Sequence, residues 1–142
     1  MVKLRVEKLR STQEFQMIKI TDKVRSFVEE SGIQQGIVAV ITAHTTTGIM
    51  INEGLECVED DIEEALDRLI PKNYPYMHAH FLPSYGTTGG NSPGHLKSML
   101  AGNHCLFPVV DGELFCGHAQ DIYFVEFDGL KPRSYFIEVI GE

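Results

Sequence analysis

The chain has no tryptophan and only three cysteines. Cys57, Cys105 and Cys116 are odd in number, stand in apolar-patterned segments and form no C-x-x-C. A disulfide framework or a cysteine-rich zinc site is therefore not expected, and a reducing, cytoplasmic setting is. Cys57 has no electropositive neighbours in sequence that would hold a reactive thiolate. No apolar run reaches transmembrane length and no signal peptide is read, so no membrane association is expected. Basic residues are in deficit, with 12 Lys and Arg against 20 Asp and Glu and a formal net charge of −8. That balance opposes nonspecific binding to nucleic acid or anionic membrane, and no basic patch offsets it. Neither a Walker pattern nor G-x-G-x-x-G occurs, so no nucleotide fingerprint is present. G-x-S-x-G is absent too, which argues against a serine triad.

What is present is one domain's worth of ordinary globular sequence: 142 residues, 43% hydrophobic and 23% charged, long enough for a sizeable core. Residues 2–10 alternate, with Val2, Leu4 and Val6 opposite Lys3, Arg5 and Glu7, which predicts a half-buried strand. Residues 14–20 read as a second strand that would form a hairpin with it across Ser11–Gln13. Thr21 is placed as the cap of a helix to about Glu30, stopped by Gly32. Residues 36–43 are β-branched and read as a buried central strand, with a further strand at Ile49–Ile51. Leu55, Val58, Ile62, Leu66 and Leu69 predict a helix over 55–70 whose acidic side faces solvent; Asp61 lies nearer its apolar border. Asp111-Gly112 signals a type I′ hairpin, and residues 133–140 form a last strand that is apolar on both faces and needs cover on both. The expected fold is a single α+β domain over residues 1–142, with a mixed or antiparallel sheet, about three helices and a hairpin-rich C-terminal half.

The stretch from Tyr76 to Leu100 carries three of the six histidines, His78, His80 and His95. Ser92 reads as an N-cap, Pro93 suits the first helical position, and Leu96, Met99 and Leu100 fall on one helical face. A glycine-rich loop (Gly86, Gly89, Gly90, Gly94) entering a helix N-terminus suits an anion, with His95 and Lys97 close by; a capped surface loop is the plainer alternative. His78 and His80, placed on a short strand over 76–82, would share one face. With His95 or His44 as a third ligand they would make a zinc site with an open position. His44 ends the central strand in H-T-T-T-G, and is equally well read as a histidine bonded to a neighbouring backbone group.

Taken in order, A-H-T-T-T-G-I-M-I-N-E-G (43–54), Y-M-H (76–78), G-H-L-K-S-M-L (94–100), F-P-V-V-D-G-E-L (107–114), G-H-A-Q-D-I (117–122) and V-E-F-D-G (125–129) resemble the YjbQ family, often called secondary thiamine-phosphate synthases. The resemblance implies a compact α+β fold, a homotrimer, and a pocket near subunit contacts. It further implies a weak or accessory thiamine-phosphate synthase activity on phosphorylated small molecules. On this chain it implies His44, Glu53 and His95 as catalytic residues. It puts Asn52, Gly90, Lys97, Gln120 and Arg133 on the substrate, with Tyr76, Gly117 and Glu126 also matching motif positions. His78, His80 and His95 are the candidate metal ligands. A divalent cation would be zinc if held by the histidines, or magnesium if held by Asn52, Glu53 and Asp61. The chain departs from the family pattern at Gly117-His118-Ala119-Gln120, where many members read G-T-W-Q. The acidic stretch often seen before H-L-K is replaced by Gly86–Gly94. A non-catalytic trimeric protein that binds a metal or ligand is the alternative to an enzyme.

Overall fold

The computed structural model describes residues 1–80 and 90–142, with residues 79 and 80 as backbone only. In chain order the elements are β1 (Val2–Arg10), β2 (Gln16–Lys19), α1 (Thr21–Ser31), β3 (Gln35–Thr42), β4 (Thr47–Glu53), α2 (Glu56–Leu69), α3 (Met77–His80), α4 (Ser92–Ala101), β5 (His104–Val110), β6 (Glu113–Leu114), β7 (Gln120–Glu126) and β8 (Pro132–Gly141). The strands make two sheets, a five-stranded β1-β8-β3-β5-β6 and a three-stranded β2-β7-β4. Every pairing within them is antiparallel. The expected α+β architecture is thus observed.

Two packed layers of side chains hold it together. Val38 and Val40 of β3, Ile137 and Val139 of β8, and Phe107 of β5 point inward from the larger sheet. They meet Val24, Phe27 and Val28 of α1, and Ile49, Ile122 and Phe124 of the smaller sheet. The other face of the smaller sheet carries Tyr123 and Val125, which pack with Leu66 and Ile62 of α2 and with Phe15 and Phe127. β7 is therefore apolar on both faces because both are covered. β8 is apolar on both faces with its outer one bare in the single chain: Tyr135, Ile137 and Val139 are buried and Ile140 is exposed.

Turn chemistry accounts for the β5–β6 hairpin. Asp111 and Gly112 both have positive φ (51° and 80°), as a type I′ turn requires. At the β3–β8 pairing, Gly36 lies opposite Gly141. A Cβ on Gly36 would fall 2.0 Å from the carbonyl oxygen of Ile140, so only glycine permits that approach.

Several expectations are corrected. β1 and β2 do not form a hairpin; β1 pairs with β8 and β2 with β7, in different sheets. β1 also presents the opposite face to the core. Arg5 points in, pairs with Glu30 of α1 and lies 4.6 Å over the Phe27 ring, while Val2, Leu4 and Val6 are exposed. Thr21 does not cap α1, whose N-cap is Ile20; its Oγ1 donates to Asp121 and accepts the Ile122 N–H. The N-cap of α4 is Asn91, and Ser92 is its first residue. α4 turns Gly94, Lys97 and Ser98 inward and leaves Met99 and Leu100 exposed. Small residues let its backbone approach closely: the Ser98 hydroxyl donates to the Thr47 carbonyl at 2.5 Å. Residues 77–80 are helical where a strand was expected. The rest of that expected strand, and the loop's Gly86 and Gly89, lie outside the described residues.

Ile137 is fully buried between the sheets and Met99 is 70% exposed. Ile137→Ala should lower unfolding stability by about 2–5 kcal/mol, whereas Met99→Ala should change it by no more than about 0.5 kcal/mol. Denaturant titration checks both, and equal losses would contradict the assigned face of α4.

Candidate functional site

The motif residues fall into two groups. The first surrounds a buried ion pair where β7 hands over to β8. Glu126 is fully buried and Arg133 is 7% exposed. Arg133 grips the carboxylate with two nitrogens, Nε to Oε1 at 2.7 Å and Nη2 to Oε2 at 2.5 Å. The Ser11 hydroxyl and the Asp128 N–H also donate to the carboxylate, at 2.7 and 3.0 Å. Arg133 Nη2 donates further to Thr46 Oγ1 at 2.9 Å. A buried charge pair is tolerated when its oxygens and N–H groups are met in this way. Here the partners come from the end of β1, the β3–β4 connection, β7 and β8. Arg133, expected on a substrate, is committed to this network.

His44 stands beside it in the β3–β4 connection. Its Nε2 accepts the backbone N–H of Ser134 at 2.9 Å, so the neutral ring carries its proton on Nδ1. Burial, and secondarily the charge of Arg133, hold its pKa below the ordinary histidine value. His95, one turn into α4, faces the same connection. Its Nδ1 lies 3.2 Å from the Thr45 carbonyl; a carbonyl only accepts, so Nδ1 donates and Nε2 keeps its lone pair. The rings of His78 and His95 are 5.3 Å apart, tilted by 43°. Residues 77–80 form a short helix, not the strand on which His78 and His80 were placed; the His80 side chain lies outside the described residues. Among the described residues no group of three His, Cys, Asp or Glu side chains comes close enough to hold a metal.

The second group sits at the far end of the β4–β7 pair. Asn52 and Glu53 are opposite Asp121 and Gln120, while Thr47 is opposite Glu126. Six strand steps of about 3.3–3.4 Å put the two ends roughly 20 Å apart. Asn52 and Glu53 are exposed, and the Gln120 side-chain oxygen accepts the Gly117 N–H at 2.6 Å. Asp61 is exposed on α2. The expected catalytic set is therefore not assembled in one chain: Glu53 and Gln120 lie at one end, His44, His95 and Arg133 at the other. Gly90 is an exposed turn residue, and the Lys97 ammonium is paired with Asp67 at 2.5 Å.

Sequence reasoning missed a cleft of about 390 Å³ between α2, the N-terminal turn of α4 and the segment before β2. Phe15 and Phe127 floor it, with ring centroids 5.9 Å apart, and Asn91, Lys97, Asp67 and Asp128 are on its walls. No periodicity marks it, because its lining comes from five separate stretches. None of His44, His78 or His95 lines it, nor the two shallower depressions along α2. Burial raises the Cys105 thiol to about 12, so that cysteine is inert near neutrality.

The lowered pKa of His44 has a pH consequence. Between its folded value and the unfolded value of about 6.5, the unfolded chain binds more protons than the folded one. His44 therefore supports stability above that unfolded value, and the contribution is lost as pH falls through the folded pKa. Denaturant unfolding from pH 7.5 down to 5 should show this slope. His44→Gln, whose side chain can still accept from Ser134, should reduce it; an unchanged slope would remove His44 from the role.

The comparisons with known proteins agree with the fold and correct the activity. The chain is 34% identical over 135 residues to a UPF0047 protein of Methanocaldococcus jannaschii, covering 94% of this chain and 91% of that one. It is 34% identical over 138 residues to UPF0047 protein YugU of Bacillus subtilis, covering 97% and 99%. A crystal structure of a YbjQ-like protein of unknown function from Sulfolobus solfataricus superposes with a TM-score of 0.91 at 29% identity, covering 100% of this chain and 99% of that one. These relatives are described only as UPF0047 or as a protein of unknown function, and not as thiamine-phosphate synthases. The expected synthase activity in a pocket of His44, His78 and His95 is accordingly withdrawn; the histidines line no described cleft. The family model described as UPF0047 protein YjbQ-like matches residues 5–142, and with these relatives it shows that the chain belongs to the UPF0047 YjbQ-like family.

Proposed function

We propose that this chain functions as a self-assembling protein, a homotrimer built on the outer face of its five-stranded sheet. The observation that carries this reading is the composition of that face. The register aligns Val2, Ile140 and Ile37 across three strands, and Leu4, Glu138, Ala39 and Leu106 across four. Val2, Leu4, Ile37 and Leu106 are each more than half exposed in the single chain. Four strands about 4.8 Å apart, with side chains repeating every ~6.8 Å along each, give the face an area on the order of 400 Å². A largely apolar patch of that size, edged by Lys8 and Gln35 and holding Glu138 within it, is of the extent that often serves a protein contact. Three copies about a threefold axis turn such faces inward, each covered by the other two. The inward placement of Arg5 on β1 supports the reading, since it directs the apolar residues of that strand outward. Among the described residues no helix is long and apolar enough to cross a membrane.

Light scattering of the purified chain at micromolar concentration should give three times the chain mass. Leu4→Glu places a second carboxylate opposite Glu138 and should shift the protein to monomer while circular dichroism keeps its folded signature. A monomeric parent would overturn the assembly, and a dimeric parent the trimer.

A second reading, independent of the first, is a bound divalent metal. It is favoured by the His95 tautomer, which leaves the Nε2 lone pair as a ligand with the His78 ring close by. Two imidazoles suit zinc over magnesium. Zinc titration at pH 7.5 and pH 5 should show weaker binding at the lower value, because protonated imidazole does not ligate. Equal affinities, or a His95→Ala variant that binds like the parent, would end this reading.

A further inference from the structure

We infer that the cleft between α2 and the N-terminal turn of α4 is a binding site for a small organic cation. The ligand class is an amine, amidine or guanidine carried on a flat apolar body. The cavity, about 390 Å³, is in the range that takes small ligands. Its apolar lining is the tilted pair Phe15 and Phe127, aromatic rings of the kind that attract flat or cationic groups.

Its walls carry an excess of negative charge. Glu14, Glu63, Asp67 and Asp128 line the cleft against Lys72 and Lys97, four acids to two bases. The pairing within the site leaves one carboxylate over. Lys97 is paired with Asp67, Lys72 with Glu14, and Asp128 with Lys131 from outside the lining. The Glu63 carboxylate has no hydrogen bond or ion pair among the described residues, and Glu63 lines this cleft and both depressions that adjoin it along α2. Its side chain is half-buried on the rim.

A second polar group points to the same ligand chemistry. The Asn91 amide nitrogen donates to Asp128 at 2.9 Å, which fixes the orientation of the amide. Its oxygen, Oδ1, is buried and without a hydrogen-bond partner among the described residues. An acceptor left in that state gains when a donor reaches it. A carboxylate and an amide oxygen are both acceptors, so they select a ligand rich in N–H donors. An anion would meet the Glu63 carboxylate and the unpaired amide oxygen, and would have to compete with Glu14 and Asp67 for Lys72 and Lys97. This inference does not depend on how the chain assembles.

Titration calorimetry with the full chain at low ionic strength tests it, using benzamidine, benzylamine, neutral benzamide and anionic benzoate as probes. Benzamidine or benzylamine should bind at one site per chain, at least tenfold more tightly than benzamide, with benzoate showing no heat. Glu63→Gln, a change on a half-exposed helix position, should keep the parent's melting temperature and lose at least tenfold in affinity for the cation. Phe15→Leu should weaken benzamidine more than 1,4-diaminobutane, which has no ring to stack. Absence of binding by both aromatic cations, benzoate binding as tightly as benzamidine, or a Glu63→Gln variant that binds like the parent would each overturn the assignment.

Discussion

The Glu126–Arg133 pair is the joint between the two sheets. Glu126 ends β7 in the three-stranded sheet and Arg133 begins β8 in the five-stranded one. A carboxylate removed from water this completely is stable only with its oxygens fully met. The donors that meet it, from Ser11, Asp128 and Arg133, and the Thr46 hydroxyl that completes the guanidinium's contacts, fix where four segments of chain lie. Removing one partner would strand the other charge in the core. The pair thus ties the end of one sheet to the start of the other, beside the His44 connection that leans on the Ser134 backbone.

From that closure follows an asymmetry in cover. The smaller sheet lies between the main core and α2, so both faces of β7 are dry. The larger sheet has α1 and the smaller sheet on one side and no described element on the other. α2 shows how a terminal layer is normally finished: one apolar edge inward, a row of carboxylates outward. The outer face of the larger sheet has the reverse chemistry. A single helix contributes more than cover, because Lys97 of α4 reaches Asp67 of α2 and so fixes the spacing of the walls on either side of the Phe15–Phe127 floor.

The strands were legible wherever alternation or turn chemistry was local. The Asp111-Gly112 turn and the length of β8 follow from turn chemistry and spacing alone. The direction a strand faces was not legible. Val2, Leu4 and Val6 form the apolar side of β1 by any scale. Only the tertiary pairing of Arg5 with Glu30 shows that the other side meets the chain's own core. α4 failed for a related reason: a helix that packs through Gly94 and Ser98 has an inward face without the apolar residues that periodicity seeks. Pairing partners were out of reach too, since β1 finds β8 across nearly the whole chain, and turn signals report only neighbours.

His44, Thr46, Glu126 and Arg133 are polar residues of types that serve catalysis, and their spacing reads as a site. In the fold, the last three are accounted for by the joint between the sheets, and His44 by the Ser134 backbone it accepts from. Asn52, Glu53 and Gln120 stand about 20 Å away along β4 and β7, where Gln120 closes a turn through Gly117. A set of residues can therefore be diagnostic of a fold because it builds the fold, and fold membership alone does not name an activity. Two groups beside the cleft whose bonding capacity remains unused among the described residues, the Glu63 carboxylate and the Asn91 amide oxygen, belong to none of the motifs carrying the resemblance. Unmet bonding capacity beside a cavity is a different kind of signal from motif identity, and it is visible only once the partners of every other polar group have been assigned.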